Sequence, residues 1–182
     1  MTRKWMLPLL LLLGALMAAC SEDQKKDGDV EVTIPALFFE GQDIDSVISK
    51  AKNSGIKEVI KNDDGSLTYK MAKPEDEEMM KGLKEGILAN VDEIKASDDF
   101  KSVKDITYNK SFSEFTLSVN KEEFESSLDT MAAVGLALTG MYYQLFNGAD
   151  VENYKVTVIY KDASSEEVFN TIVYPDDVNK KK

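Results

Sequence analysis

One thiol, no imidazole and an excess of carboxylates define the chemistry open to this chain. Its sole cysteine, Cys20, directly follows Ala18-Ala19, and no histidine occurs in the 182 residues. Asp and Glu number 33 against 22 Lys and Arg, a net charge of −11. Without His there is no Ser-His-Asp triad and no imidazole acid–base catalysis. A single thiol allows no disulfide within the chain and, with no His, none of the usual zinc, haem or iron–sulfur sites. Oxygen and amine chemistry remains: paired carboxylates of the glycosidase kind, oxygen ligands for calcium, or a Ser–Lys dyad. No spacing marks any of them. Among so many acids some pair falls at a catalytic separation by chance. Asn62–Gly65 and Asp27–Asp29 lack the spaced acids of an EF-hand loop. The sequence therefore predicts no catalytic residue, no metal site and no cofactor.

The surroundings of Cys20 are more informative. Arg3 and Lys4 open the chain, residues 5–17 are an apolar run, and two alanines precede the cysteine. A basic start, a short apolar run and small residues form the layout of an export signal. The run is shorter than the roughly 20 apolar residues of a spanning helix. Leu16-Met17-Ala18-Ala19-Cys20 resembles the lipobox of bacterial lipoproteins, with Met17 where many lipoboxes carry Leu. The resemblance implies a diacylglycerol on the Cys20 thiol and cleavage just before it. It places the mature chain on the cell membrane, lipid-anchored and facing outside the cytoplasm.

Removal of residues 1–19 takes away the only Arg and the only Trp and brings the net charge to −13. Nucleic-acid binding rests on neutralising phosphates, so this balance argues against it. The bidentate guanidinium fork is absent, as is an indole to stack on sugar. Acidic surface repels anionic headgroups, so attachment should rest on acyl chains and not on a basic patch.

These groups need elements to hold them. Residues 20–29 carry no apolar side chain after the cysteine and read as a tether, and 176–182 read as a disordered tail. Between them, 30–175 read as one domain. Val30–Ile34 alternates as a strand. Ile44, Val47, Ile48 and Ala51 form a helical stripe ending at Gly55. Strands at 56–61 and 67–71 flank the turn Asn62-Asp63-Asp64-Gly65. Pro74 opens a helix to about Ser97 with acids in its first turn. Gly82 and Gly86, four apart within it, suggest close packing on a neighbour. Strands follow at about 103–109 and 113–119. Asn120 with Glu123 resembles a capping box opening a third helix that runs to Asn147. Met131–Phe146 is apolar almost all round and reads as a core helix containing Leu138. If its face were free, Tyr142, Tyr143 and Phe146 would be the interaction anchors. A hairpin at 154–161 and 167–174 closes the domain.

The order is β-α-β-β-α-β-β-α-β-β, with a helix–hairpin unit recurring three times. The expected class is α+β, with three helices on a predominantly antiparallel sheet of about seven strands. Val30–Ala36, Asn62–Tyr69 and Gly140–Tyr143 resemble small Gram-positive lipoproteins of unassigned function. That resemblance implies no catalytic residue. The function expected is a lipid-anchored extracytoplasmic binding or adaptor protein without catalytic activity, meeting an envelope protein or a small ligand. The alternatives are a structural or interaction subunit of a cell-envelope assembly and a carboxylate-based hydrolase.

Overall fold

The computed structural model describes residues 28–179. Its strands are β1 (Asp29–Ile34), β2 (Glu58–Lys61), β3 (Leu67–Ala72), β4 (Val103–Tyr108), β5 (Glu114–Val119), β6 (Val156–Asp162) and β7 (Val168–Tyr174). Its helices are α1 (Ile44–Asn53), α2 (Lys73–Ala96), α3 (Lys121–Glu125), α4 (Thr130–Phe146) and α5 (Asp176–Asn179). The class is α+β, as expected. The signal, Cys20, most of the tether and residues 180–182 lie outside the described residues.

The seven strands form two sheets, ordered β1-β3-β2 and β4-β5-β6-β7. A single sheet was the expectation, and α2 explains the difference. With 24 residues it is about 36 Å long, enough to carry the chain away from β3 before β4 begins. All three hairpins are antiparallel. The pair β5 and β6, however, is parallel. The chain leaves β5, crosses through α3 and α4 and returns in the same direction, the connection a parallel pair requires.

The hairpin turns share one device. At the first, the Asp64 carboxylate accepts from the Ser66 backbone N–H at 2.9 Å and from its hydroxyl at 2.6 Å. At the second, Asn109 Oδ1 accepts from Ser113 N–H at 3.0 Å. At the third, Asp162 accepts from Ser164 N–H at 3.0 Å. A short polar side chain thus substitutes for a backbone carbonyl in each turn.

The single helix expected from Asn120 to Asn147 is broken in two. Asn120 does cap α3, accepting from Glu123 N–H at 3.2 Å. Ser126 and Ser127 then turn their hydroxyls back onto the carbonyls of Glu122, Glu123 and Phe124. Asp129 is the N-cap of α4, its own N–H donating to the Ser127 hydroxyl at 3.1 Å and its carbonyl accepting from Ala132 N–H. Its carboxylate is buried and accepts from both the backbone N–H and the hydroxyl of Ser102. Such side chains compete with the helical ladder, which their apolar neighbours conceal in the sequence. Ser102 in turn accepts from Asn120 N–H at 2.8 Å through its carbonyl, so one latch joins the start of β4 to the starts of α3 and α4.

The tail also differs from expectation. Residues 176–179 form α5, held by a 2.7 Å Lys155–Asp176 ion pair and by the Asp177 carboxylate on Val173 N–H.

Helices α2 and α4 pack on each other and touch both sheets, α2 at β1, β3 and β4, α4 at β1, β5 and β6. Their closest approach to a sheet is not at Gly82 or Gly86. A Cβ built at either of those meets nothing within 4 Å. At Gly140 it would stand 2.5 Å from the Phe112 carbonyl oxygen and 3.1 Å from the side chains of Phe115 and Val156. Phe112 itself is buried at φ 51°, a left-handed conformation rare for a bulky residue.

Two measurements check this account. Gly140→Ala should destabilise by about 1–3 kcal/mol, since the added methyl meets backbone. Gly82→Ala and Gly86→Ala should each stabilise by about 1 kcal/mol, the helix-propensity gain with no clash. Urea midpoints of the three variants would show the opposite signs. Asp129→Ala should cost about 1–3 kcal/mol because it strands the buried Ser102 donors. A midpoint unchanged from wild type would show that the latch is not needed.

Candidate interaction site

The candidate site is the outer side of the α2–α4 pair. Helix α4 has no charged residue from Thr130 to Phe146, in a chain that is 30% charged. Its inner side is built of small residues: Ala132, Ala133, Ala137 and Gly140 are all buried, with Leu136, Met141, Leu145 and Phe146 filling the gaps. Small residues let the helix lie close to both sheets. The cost is that two of its larger apolar side chains stay outside. Met131 is 61% exposed and Leu138 is 42% exposed, and Leu128 just before the helix is 81% exposed. Leu138 is therefore not the core residue the sequence suggested. The apolar run has two sides, and only one of them meets the sheets.

Met131, Gly135, Leu138 and Tyr142 stand at i, i+4, i+7 and i+11, on one stripe of α4. Beside that stripe Thr139 helps to line a groove of about 650 Å³ with Met79, Gly82, Leu83, Gly86, Ala89 and Glu93 of α2. The two helical glycines are thus the floor of an open apolar groove. Their spacing was visible in the sequence, but whether the space above them is filled was not.

The anchors expected from the sequence lie elsewhere. Phe146 is in the core, its ring stacked on Tyr69 at 6.4 Å between centroids. Tyr142 is half-buried, edge-on to Phe38 at 4.5 Å. Burial pushes its phenol up to about 12. Tyr143 points the other way and packs edge-on to Phe112 at 4.9 Å. The three side chains do not form one free patch. Cys20 lies outside the described residues.

The titratable groups show how little catalytic machinery is assembled. Burial also raises the phenols of Tyr69, Tyr154, Tyr160 and Tyr174, which keeps them protonated at neutral pH. The lysines displaced in pKa, Lys57, Lys95 and Lys155, move upward, each through a hydrogen bond to an aspartate. Asp129 is the one fully buried carboxylate among the described residues, and Ser102 occupies it. Asp76, in the first turn of α2, is raised by partial burial and by Glu77. Among the described residues no group of three or more Cys, Asp or Glu is placed to hold a metal ion. No described helix is long and apolar enough to cross a membrane.

Comparison with protein-family models, curated proteins and solved structures gives no match, so the functional reading rests on this chain's own geometry.

Acid titration offers a check on the turn carboxylates. Asp64, Asp105, Asp150 and Asp162 are all held below the usual 3.8, by hydrogen bonds from Ser66, Lys95, Asn153 and Ser164 respectively. Their folded values are depressed, so their stabilisation is complete above the unfolded range and is lost as pH falls through the folded values. The melting temperature should therefore fall on acidification below about pH 4. A double variant, Asp64→Asn with Asp162→Asn, should lose less between about pH 5 and pH 2 than wild type. An equal loss would remove these turns from the account.

Proposed function

We propose that this chain is a lipid-anchored extracytoplasmic adaptor, tethered through acyl chains on Cys20, that binds a protein partner and has no catalytic activity. One observation carries the binding half: α4 runs 17 residues without a charge, leaves Met131 and Leu138 exposed, and through Thr139 borders an open apolar groove with α2. Soluble monomers seldom leave such apolar surface together without a use for it. The form of the groove favours a macromolecular partner. It is long and shallow, whereas a small-molecule site encloses most of its ligand.

The hydrolase alternative finds less support. Among the described residues Glu93 is the one carboxylate lining the groove, and carboxylate hydrolysis of glycosides takes two facing acids. The anchoring half rests on the lipobox resemblance and suits the position of the N-terminus. The Gly28 carbonyl accepts from Lys73 N–H, so the domain begins beside the start of α2. From Cys20 to Gly28 the chain spans at most about 28 Å. In this reading the α2 start faces the bilayer, and the groove begins about 9 Å further along the helix, at Met79.

The test is metabolic labelling with an alkyne fatty acid. Wild type should carry label and sediment with membranes. Cys20→Ser should lose both and appear in the medium or periplasm. Persistent labelling of Cys20→Ser would overturn the anchoring.

A further inference from the structure

The charges around the groove identify what it is suited to hold. On α2, Met79, Gly86 and Glu93 recur every seven residues and line the groove. Gly82 and Ala89, also seven apart, extend it outward. The next stripe round the helix is Glu78, Glu85 and Asp92, again seven apart and all exposed. Lys81, Lys84 and Lys95 lie beyond that stripe, on the side away from the groove. Two of these lysines are already engaged, Lys81 with Glu85 at 3.9 Å and Lys95 with Asp105 at 2.7 Å. On the opposite side the lining residue from α4 is Thr139, and α4 carries no charge. The groove is therefore apolar along its floor, uncharged toward α4 and acidic along the other rim, where Glu78, Asp92 and Glu93 stand beside the Lys81–Glu85 pair.

We infer that the α2–α4 groove binds a basic amphipathic helix of a partner protein. This deepens the adaptor reading and rests on it. An apolar face would lie over Gly82, Gly86 and Ala89 and against Met79 and Leu83. A Lys- or Arg-bearing flank would meet the acidic rim, in the helix-in-groove mode of recognition. From Met79 to Glu93 the floor is about 21 Å long, which matches four turns of a partner helix. The two glycines allow that helix to approach α2 closely. A second copy of this chain is a poorer occupant, because it brings a net charge of −13 toward an acidic rim. An anionic lipid surface is disfavoured for the same reason.

The experiment uses the whole mature chain with Cys20→Ser, which needs no detergent. Three synthetic 16-residue probes are titrated by fluorescence anisotropy: a leucine–lysine peptide of helical period, a leucine–glutamate peptide of the same pattern, and a lysine peptide of scrambled pattern. The patterned basic peptide should bind at least tenfold more tightly than the other two. Gly86→Leu leaves every charge in place and fills the floor, and it should weaken that binding at least tenfold. A Cβ at Gly86 meets nothing within 4 Å, so the variant should melt at or above the wild-type temperature. If it fails to fold, Ala89→Leu takes its place, at an exposed position of the groove.

Equal affinity for the scrambled peptide, or no effect of filling the groove, would reduce the interaction to attraction between opposite net charges and overturn the proposal. So would a wild-type dimer in sedimentation that Gly86→Leu dissociates, which would make a second copy the occupant. Binding of the unlipidated chain to phosphatidylcholine–phosphatidylglycerol vesicles, lost in Gly86→Leu, would overturn it in favour of lipid. The two readings fail separately. Loss of peptide binding in a chain that still takes the fatty-acid label removes the groove partner and leaves the anchored protein. Groove binding in a chain that takes no label removes the anchor and leaves the groove.

Discussion

Contact between α4 and the four-stranded sheet at Gly140 sets the geometry of the rest. The helix lies so close to β5 and β6 that a methyl group there would overlap the Phe112 carbonyl. Close approach demands small residues near the contact, and Ala133 and Ala137 supply them beside Gly140. Side chains from the sheet fill the space there, and Phe115, Leu117, Val156 and Val158 are fully buried, while Leu136, Met141 and Leu145 of α4 add their own bulk to the core. The outer side of α4 carries Met131 and Leu138, and α2 packs alongside. The exposed apolar stripe is thus the other side of the close-packed one.

A second constraint fixes where that helix begins. Asp129 is buried against Ser102, and Ser102 also accepts from Asn120. A buried carboxylate without partners would be strongly unfavourable, so these donors and the acid form a unit that cannot slide by one residue. Because the latch holds the start of α4, residue 140 arrives over Phe112 and Val156 in register. The left-handed Phe112 belongs to the same arrangement. Its ring lies between Tyr143 and Phe115, and its carbonyl faces Gly140, where no side chain obstructs it.

Periodicity made much of this legible. Alternating apolar residues located β1, β3, β5 and β6, and the Asx-Gly turn at 62–65 located the first hairpin, because both signals depend on neighbours in the chain. The stripe through Met79, Leu83, Ile87, Val91 and Ile94 located α2 for the same reason. What periodicity did not carry was the pairing of distant elements. The parallel pair β5–β6 and the division into two sheets follow from the lengths and paths of α2 and α4, and neither path is encoded in a local pattern. The break at 126–129 was hidden because Phe124, Leu128 and Met131 continue the apolar spacing across it. The local serines take up the backbone groups there, and the contact that fixes the Asp129 carboxylate comes from the buried Ser102, 27 residues away. The candidate site was half-legible. The sequence identified 131–146 as the segment that matters, but an apolar helix with one free side and a wholly buried one have the same composition. It therefore offered Tyr142, Tyr143 and Phe146 as anchors where the free surface belongs to Leu128, Met131 and Leu138.

On the reading proposed above, charge gives that surface its selectivity. Nearly a third of the chain is charged and the balance is strongly negative, which sets long-range repulsion against anionic surfaces, other copies of the chain included. An uncharged stripe on such a surface would otherwise be an aggregation hazard. Surrounded by like charge, it is protected from self-association without being covered. The lysines do not weaken this protection near the groove. Those of α2 lie on its far side, where Lys73 and Lys81 pair with acids four residues on and Lys95 reaches across to β4. Exposed pairs of this kind add little stability. Lys81 balances one rim acid, Glu85, and the rim stays acidic through Glu78, Asp92 and Glu93. An apolar floor alone would accept any greasy helix, and an acidic rim alone would accept any cation. A partner that satisfies both must carry the two features on adjacent faces of one helix, and that requirement narrows the choice far more than either feature does by itself.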